Sequence, residues 1–298
     1  MTDDIAIRVD GLTHRYGRRV IHHNLSFDVH RGGIFGLLGK NGVGKTTLIK
    51  LLMGFLRPSA GRCSVLGAPS HALPPDTRRR IGLVFEGHLA YEFMTIRQTE
   101  RFFSGFYPAW RGDVFHDLIE RLGLSPDHRI GRMSEGQRSQ VVLAVVMAQD
   151  PELLILDDYT MGLDAGYRRL FLDYLVHYAR QGGKTVLVTS HVVQDMERLV
   201  DEVIFLRRGG EVLATSLSAF MGDFRHYRLP PTPGAPPPAA DGVLHNVEAA
   251  PDGTLMVYAF HGPERVAQAL GAQGQRVAGL TACPMSLEDA FVGYTGTY

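Results

Sequence analysis

An α/β fold, in which buried strands alternate with helices, is what this 298-residue chain predicts, and three observations carry the prediction. Short apolar runs such as LLILDD (153–158) and KTVLVTS (184–190) are separated by helical stretches, as a parallel sheet covered on both faces requires. A glycine-rich segment, GKNGVGKT (39–46), follows the apolar run GIFGLL and opens onto Leu48, Ile49, Leu51 and Leu52, which reads strand, loop, helix. Last, LPPTPGAPPPAADG places six prolines between 230 and 238, a stretch that can be neither helix nor inner strand and divides a main body from a tail.

Along the chain, residues 5–38 alternate short β-like runs (IAIRV, LSFDV, GIFGLL) with polar turns, and the loop and its helix follow to about Gly54. RCSVLG (62–67) and RIGLVF (80–85) read as further strands. From about Ile96 to Ala148 the apolar spacing becomes helical, which marks an insert over about 87–148. LLILDD, a helix from about Asp164 to Arg180, KTVLVTS, a short helix near 193–199 and the strands EVIFLRR and EVLATS complete a domain spanning 1–222. The proline-rich stretch is read as a semi-rigid linker over 223–242. The remainder, 243–298, offers TLMVYAF as a strand, PERVAQAL as a helix and RVAGLTAC as a strand, a small α+β domain. No internal repeat is visible.

Composition bounds the function classes. Thirty-one basic residues balance thirty-one acidic ones, so no overall charge favours nucleic acid. Cys63 and Cys283 lie far apart with no metal-type spacing, which fits a reducing compartment. The start, MTDDIAIRVD, is acidic, and the longest strongly apolar run, VVLAVVMA (141–148), is far short of the roughly 20 residues that span a bilayer. A soluble, cytosolic chain is expected.

The chemistry begins at GKNGVGKT. Gly39, Gly42 and Gly44 allow a tight turn, so that successive N–H groups and the helix N-terminus converge on one anion. Lys45 supplies a point charge for outer phosphates and Thr46 a hydroxyl for Mg²⁺, while Lys40, Asn41, Val43 and Thr47 complete the phosphate-binding set. Only four of the 31 basic residues are lysine, which argues against a chance glycine-rich turn. Asp157 and Asp158 stand at the carboxyl end of an apolar strand, where open parallel sheets place ligand chemistry. That placement suits a Mg²⁺-associated carboxylate, Asp157, and a residue that positions the attacking water, Asp158; a capping aspartate pair is the plainer alternative. In MSEGQ (133–137), Ser134 and Gln137 form an S-x-x-Q capping box, which by itself accounts for both residues.

Taken with the loop and the aspartates, MSEGQ resembles the signature of ATP-binding cassette (ABC) ATPases, lying some twenty residues before the Asp157 strand. The resemblance covers residues 5 to about 220. It implies a phosphate-loop NTPase cassette with a mixed sheet core, an antiparallel β subdomain and a helical insert, followed here by the small C-terminal α+β appendage. It implies ATP and Mg²⁺ as cofactors, and a composite site in which Ser134, Gly136 and Gln137 of one subunit close on the ATP of another. By the same resemblance Tyr16 stacks on adenine, though a tyrosine at a strand end is otherwise unremarkable. Glu86 takes the place of a glutamine that senses Mg²⁺ and contacts the membrane partner, Asp164 belongs to the loop crossing the dimer interface, and His191 matches the switch histidine near the γ-phosphate. Met133, Glu135, Glu86 and Asp158 depart from the family's commonest residues.

Asp158 replaces the family's usual glutamate and is shorter by one methylene, roughly 1.5 Å of reach. A base must approach its water to about 2.6–3.2 Å, so competent ATP binding with weakened hydrolysis is expected. Tyr91, Phe93, Phe102, Phe103, Phe106, Tyr107 and Trp110 crowd one stretch; they either pack the insert or form a groove for a helix of a membrane subunit. The resemblance therefore implies the ATP-binding subunit of an exporter-type ABC transporter: a homodimer, peripheral on the inner face of the cell membrane through a separate multispanning permease, without nucleic acid. A non-transport cassette ATPase, and a regulatory or assembly subunit in which ATP binding is the signal, are the alternatives.

Overall fold

The computed structural model describes residues 4–85, 91–158, 164–190 and 192–296. The chain divides into two compact units, one formed by residues 1–192 and 199–214 and the other by 193–198 and 215–298.

The first unit opens with β1 (Ile5–Tyr16), β2 (Arg19–His30), β3 (Gly33–Leu38), α1 (Lys45–Leu52), β4 (Ala60–Val65) and β5 (Ala68–Pro69). It continues through α2 (Pro75–Arg79), β6 (Ile81–Val84), α3 (Ile96–Ser104), α4 (Gly112–Arg121), α5 (Glu135–Ala148), β7 (Leu153–Leu156), α6 (Ala165–Gly182) and β8 (Thr185–Val188). After α7 (Val193–Leu199) come β9 (Glu202–Leu206) and β10 (Val212–Ser216).

Two sheets result. One is antiparallel, with strand order β2-β1-β4-β5; the other runs β10-β9-β3-β8-β7-β6. In the second, β3 lies between β8 and β9, and β7 between β8 and β6, all paired in parallel. Every residue of β7 (LLIL) and β8 (TVLV) is buried, which is why these strands read as continuous apolar runs rather than alternating ones. Leu37 of β3, Leu48 and Leu51 of α1, Ile7 of β1, Ile155 of β7 and Leu187 of β8 belong to one core.

Helix ends follow the sequence signals. Ser134 caps α5 as an N-terminal box: it accepts from Gln137 N at 3.2 Å, and Gln137 Oε1 accepts from Ser134 N at 3.0 Å. Most of α5 beyond its first turn is buried, which suits the uninterrupted apolarity of VVLAVVMA. Asp164 caps α6 by accepting from Gly166 N and Tyr167 N, and Gly183 ends it in the left-handed conformation. No helix among the described residues is long and apolar enough to cross a membrane.

The second unit holds α8 (Leu217–Asp223), β11 (Arg225–Leu229), β12 (Asn246–Ala249), β13 (Leu255–Ala259), α9 (Pro263–Ala272), β14 (Thr281–Cys283) and α10 (Leu287–Thr295). Its sheet is antiparallel with order β12-β13-β11-β14. The expected linker over 223–242 is corrected by β11, which starts at Arg225 and is an inner strand with Tyr227 and Leu229 fully buried. The six prolines lie in the segment connecting β11 to β12 within the unit, and the turn after α9 fastens that segment. Gln275 Nε2 donates to Pro236 O at 2.7 Å, Arg276 N to Thr232 Oγ1 at 2.8 Å, and Ala239 N to Gln273 Oε1 at 2.7 Å. The segment of α7 in this unit is held to α10, with Leu287 N donating to Glu197 Oε2 at 3.2 Å and Gln194 Nε2 to Glu288 Oε2 at 2.5 Å.

Candidate functional site

The inner strand β3 delivers the glycine-rich loop at its carboxyl end, beside the ends of β7 and β8. Gly42 and Gly44 hold φ of 77° and 107°, which L side chains rarely adopt. Gly44 is also sterically required, because an added Cβ would sit 2.6 Å from Ile21 Cγ2 and 2.7 Å from His22 Cε1. At Gly39 a Cβ would meet Leu206 O at 2.8 Å, and buried Val43 fills the space beneath the turn.

A cavity of about 490 Å³ opens over this loop. Asn41, Gly42, Gly44, Lys45, Thr46 and Thr47 line it on one side and Asp157 and Asp158 on the other, with Tyr16 at its edge. Lys40 lies just outside that lining, its carbonyl 3.5 Å from Lys45 Nζ. Tyr16 is half exposed and meets His14 edge to face, 4.9 Å between centroids, which leaves ring surface for a planar ligand. Ser134, Gly136, Gln137 and Asp164 do not line the cavity; their polar groups serve the caps of α5 and α6. Glu86 and His191 lie outside the described residues.

Lys45 Nζ donates to Gly39 O at 2.6 Å. Burial pushes its ammonium below the usual lysine value, while Asp157 and Asp158 pull it back up. The loop thus holds the ammonium through Gly39 O and, at 3.5 Å, Lys40 O, and the ammonium still has donor capacity for phosphate oxygens. Opposite, Asp157 and Asp158 are 2% and 5% exposed. Thr189, at the end of β8, donates from Oγ1 to Asp157 Oδ1 at 2.7 Å and accepts from Asp158 N at 2.9 Å. Asp157 Oδ2 is buried and has no hydrogen-bond partner among the described residues. Asp158 adopts φ of 51°, a left-handed conformation that aspartate tolerates better than most residues.

These residues fit Mg²⁺. The cavity lining includes the Asp157 carboxylate and the Thr46 hydroxyl, hard oxygens, and the described residues contain no cluster of three or more His, Cys, Asp or Glu able to cage a metal alone. Mg²⁺ characteristically takes one or two carboxylates and completes its shell with water and substrate phosphates.

Two residues of the site escaped sequence reasoning. Thr189 reads as the polar end of an apolar strand, and only the β7–β8 register puts it beside Asp157. His22, buried on β2 directly across from His14 on β1, donates from Nε2 to Gly44 O at 3.1 Å and so braces the loop. Burial pushes its pKa below the usual value, reinforced by His14. The native state therefore keeps His22 neutral while the unfolded chain protonates near pH 6.5. Its contribution to stability is fully present above about pH 6.5 and is lost as pH falls through the lowered folded value. In thermal melts, His22→Leu is expected to show a smaller loss of Tm between neutral and mildly acid pH than the parent; an unchanged difference would remove His22 as the cause.

The crowded aromatics divide into a packed ring and a set of exposed ones. Trp110 packs against Phe115, whereas Phe93 and Phe106 are 70% and 58% exposed and join Tyr91, Phe102 and Phe103 in a chain of ring contacts of 5.1–6.2 Å. A groove of about 670 Å³ runs along Phe93, Phe102 and Phe106, with Arg101 and Arg129 on its rim.

Comparison with known proteins agrees with this geometry. The family model for ABC transporters matches residues 22–161. The Nod factor export ATP-binding protein I of Rhizobium sp. (strain N33) is 33% identical over 98% of this chain and 97% of its own length. The ABC transporter ATP-binding protein NatA of Bacillus subtilis (strain 168) is 30% identical over 66% of this chain and 82% of its own. Among solved structures, an ATP-binding subunit of an ABC transporter superposes with a TM-score of 0.65 at 24% identity, covering 73% of this chain and 92% of that one, and supports the fold. The cbiO1 protein of Clostridium perfringens, part of the ABC transporter complex cbiONQ, gives 0.62 at 25% identity, covering 74% and 92%. With a phosphate loop, a strand-end carboxylate pair and a relative matched over nearly its whole length, the chain belongs to the ABC transporter family, as an ATP-binding subunit and ATPase.

Proposed function

We propose that two copies of this chain bind ATP head to tail and, by slow hydrolysis, drive a separate membrane permease that exports its substrate. The observation that carries the dimer is the separation of the two halves of the expected site. The cavity over Lys45 is lined by the loop and the two aspartates, while Ser134 and Gly136 stand outside it at the start of α5. A helix N-terminus is an anion site in waiting, and a second copy can bring it to the phosphates. In this reading Tyr16 stacks on the base, Lys45 and the loop amides bind the phosphates, and Thr46 and Asp157 hold Mg²⁺. Asp158 orients the attacking water, with Glu86 and His191 beside the γ-phosphate and Asp164 at the subunit boundary. Mg²⁺, when bound, neutralises phosphate charge as it builds up in the reaction.

Export as the direction rests on similarity to the Nod factor export proteins. The exposed aromatic groove supplies a site for a permease segment, since large exposed apolar patches mark interaction surfaces. Purification from membranes is expected to bring down a multispanning protein, and that complex should turn over ATP. Phe93→Ala and Phe106→Ala should each weaken the association by about tenfold or more while leaving ATP binding intact. Retained association in both variants would place the permease elsewhere. A complex that forms and binds ATP without turnover would favour a regulatory subunit, the reading to which Asp158 lends weight.

A further inference from the structure

We propose that Thr189 is the positioning residue for the Mg²⁺ carboxylate, selecting Asp157 Oδ2 as the oxygen offered to the cation and tying that choice to the backbone of Asp158. The inference rests on the reading of Asp157 as a metal-bearing residue.

The direction of each hydrogen bond is fixed by chemistry. A backbone N–H can only donate, so Asp158 N gives its proton to Thr189 Oγ1 at 2.9 Å. The hydroxyl's single proton is then available for Asp157 Oδ1, 2.7 Å away. The result is one polarised chain, from the amide of Asp158 through the hydroxyl to the carboxylate, in which each bond strengthens the next. Thr189 is 1% exposed, so water cannot stand in for it. The framework around it is equally fixed: Thr189 N donates to Leu156 O at 2.8 Å and Asp157 N to Val84 O at 2.8 Å, which clamps β8 to β7 and β7 to β6.

This arrangement has a chemical consequence. With Oδ1 committed to threonine, the carboxylate cannot rotate freely, and Oδ2 is left without a hydrogen-bond partner among the described residues. A cation at Asp157 then meets one presented oxygen in a defined orientation. Without the hydroxyl, the carboxylate gains rotational freedom and the amide of Asp158 loses its acceptor in a buried place. Groups that orient a ligand residue in this way commonly change metal affinity by about 10- to 100-fold when removed.

The test compares Thr189→Val, which keeps shape and removes the hydroxyl, with Thr189→Ser, which keeps the hydroxyl. Fluorescent ADP is bound first in EDTA, then Mn²⁺ is titrated into the nucleotide complex and followed by electron paramagnetic resonance. The valine protein is expected to bind ADP as the parent does in EDTA and to need about tenfold more Mn²⁺ or greater, and the serine protein to match the parent. A parent-like Mn²⁺ affinity in the valine protein, or a serine protein as weak as valine, overturns the proposal. Failure of the reading beneath it looks different: the parent itself then takes up no Mn²⁺ with nucleotide. If the valine protein does not fold, Thr189→Ala is measured in its place, and the serine arm still decides.

Discussion

Lys45→Ala is expected to lower ATP affinity by at least about 10- to 100-fold, measured by calorimetry or by displacement of a fluorescent nucleotide. The lower bound follows from a hydrogen bond to a charged group, about 1.5–3 kcal/mol, and each 1.4 kcal/mol is tenfold. The structure argues for a larger effect. Lys45 Nζ is anchored on Gly39 O at 2.6 Å, so the ammonium is already placed and loses little entropy when phosphate arrives. Removing it also takes away the cation facing Asp157 and Asp158, which interact with it electrostatically. Two carboxylates would then face a polyphosphate without that opposing charge. Lys45→Arg should not restore binding, because a planar fork cannot reproduce a point charge seated on one carbonyl. An affinity for ATP in Lys45→Ala close to that of the parent would remove this cavity as the nucleotide site.

Asp158→Asn is expected to reduce ATP turnover by about 100-fold or more while leaving ATP affinity nearly unchanged, since positioned bases contribute about 10²–10⁴. Asp158→Glu should do the opposite, raising turnover if reach limits the rate. The backbone attaches a cost to that gain. At φ of 51° aspartate is among the residues that accept the left-handed region, and glutamate is less well suited, so a loss of stability on the order of 1 kcal/mol should accompany faster turnover. Rate and melting temperature are thus expected to move in opposite directions in the glutamate variant. If the parent turns over ATP briskly and glutamate brings no increase, the slow-base reading is wrong.

The loop and the strand-end aspartates were legible because their chemistry is local: glycine where φ is positive, lysine and threonine at fixed offsets, and acids after an apolar run. The cap at Ser134 was legible for the same reason, as its two hydrogen bonds join residues three apart. Thr189 was not, because its role depends on a parallel pairing between segments more than thirty positions apart, and no local pattern encodes that register. His22 was missed likewise, since its partner Gly44 lies on another element. The aromatics posed a different difficulty: α3 carries Phe102 and Phe103 side by side, so the pattern cannot say which ring turns outward. The boundary of the second unit was misplaced because proline signals the end of a strand, not the end of a domain, and β11 precedes the run.

The second unit draws on two stretches of chain, 193–198 and 215–298, with β9 and most of β10 of the first unit between them. It cannot be removed by shortening the protein from its end. A stop after residue 214 would delete α10 and leave Glu197 and Gln194 of α7 without Leu287 and Glu288. Those orphaned positions begin three residues after His191, so a truncation aimed at the tail would also disturb the segment adjoining the expected switch. Loss of ATP turnover in such a protein should therefore be attributed to that segment before any regulatory role is assigned to the tail.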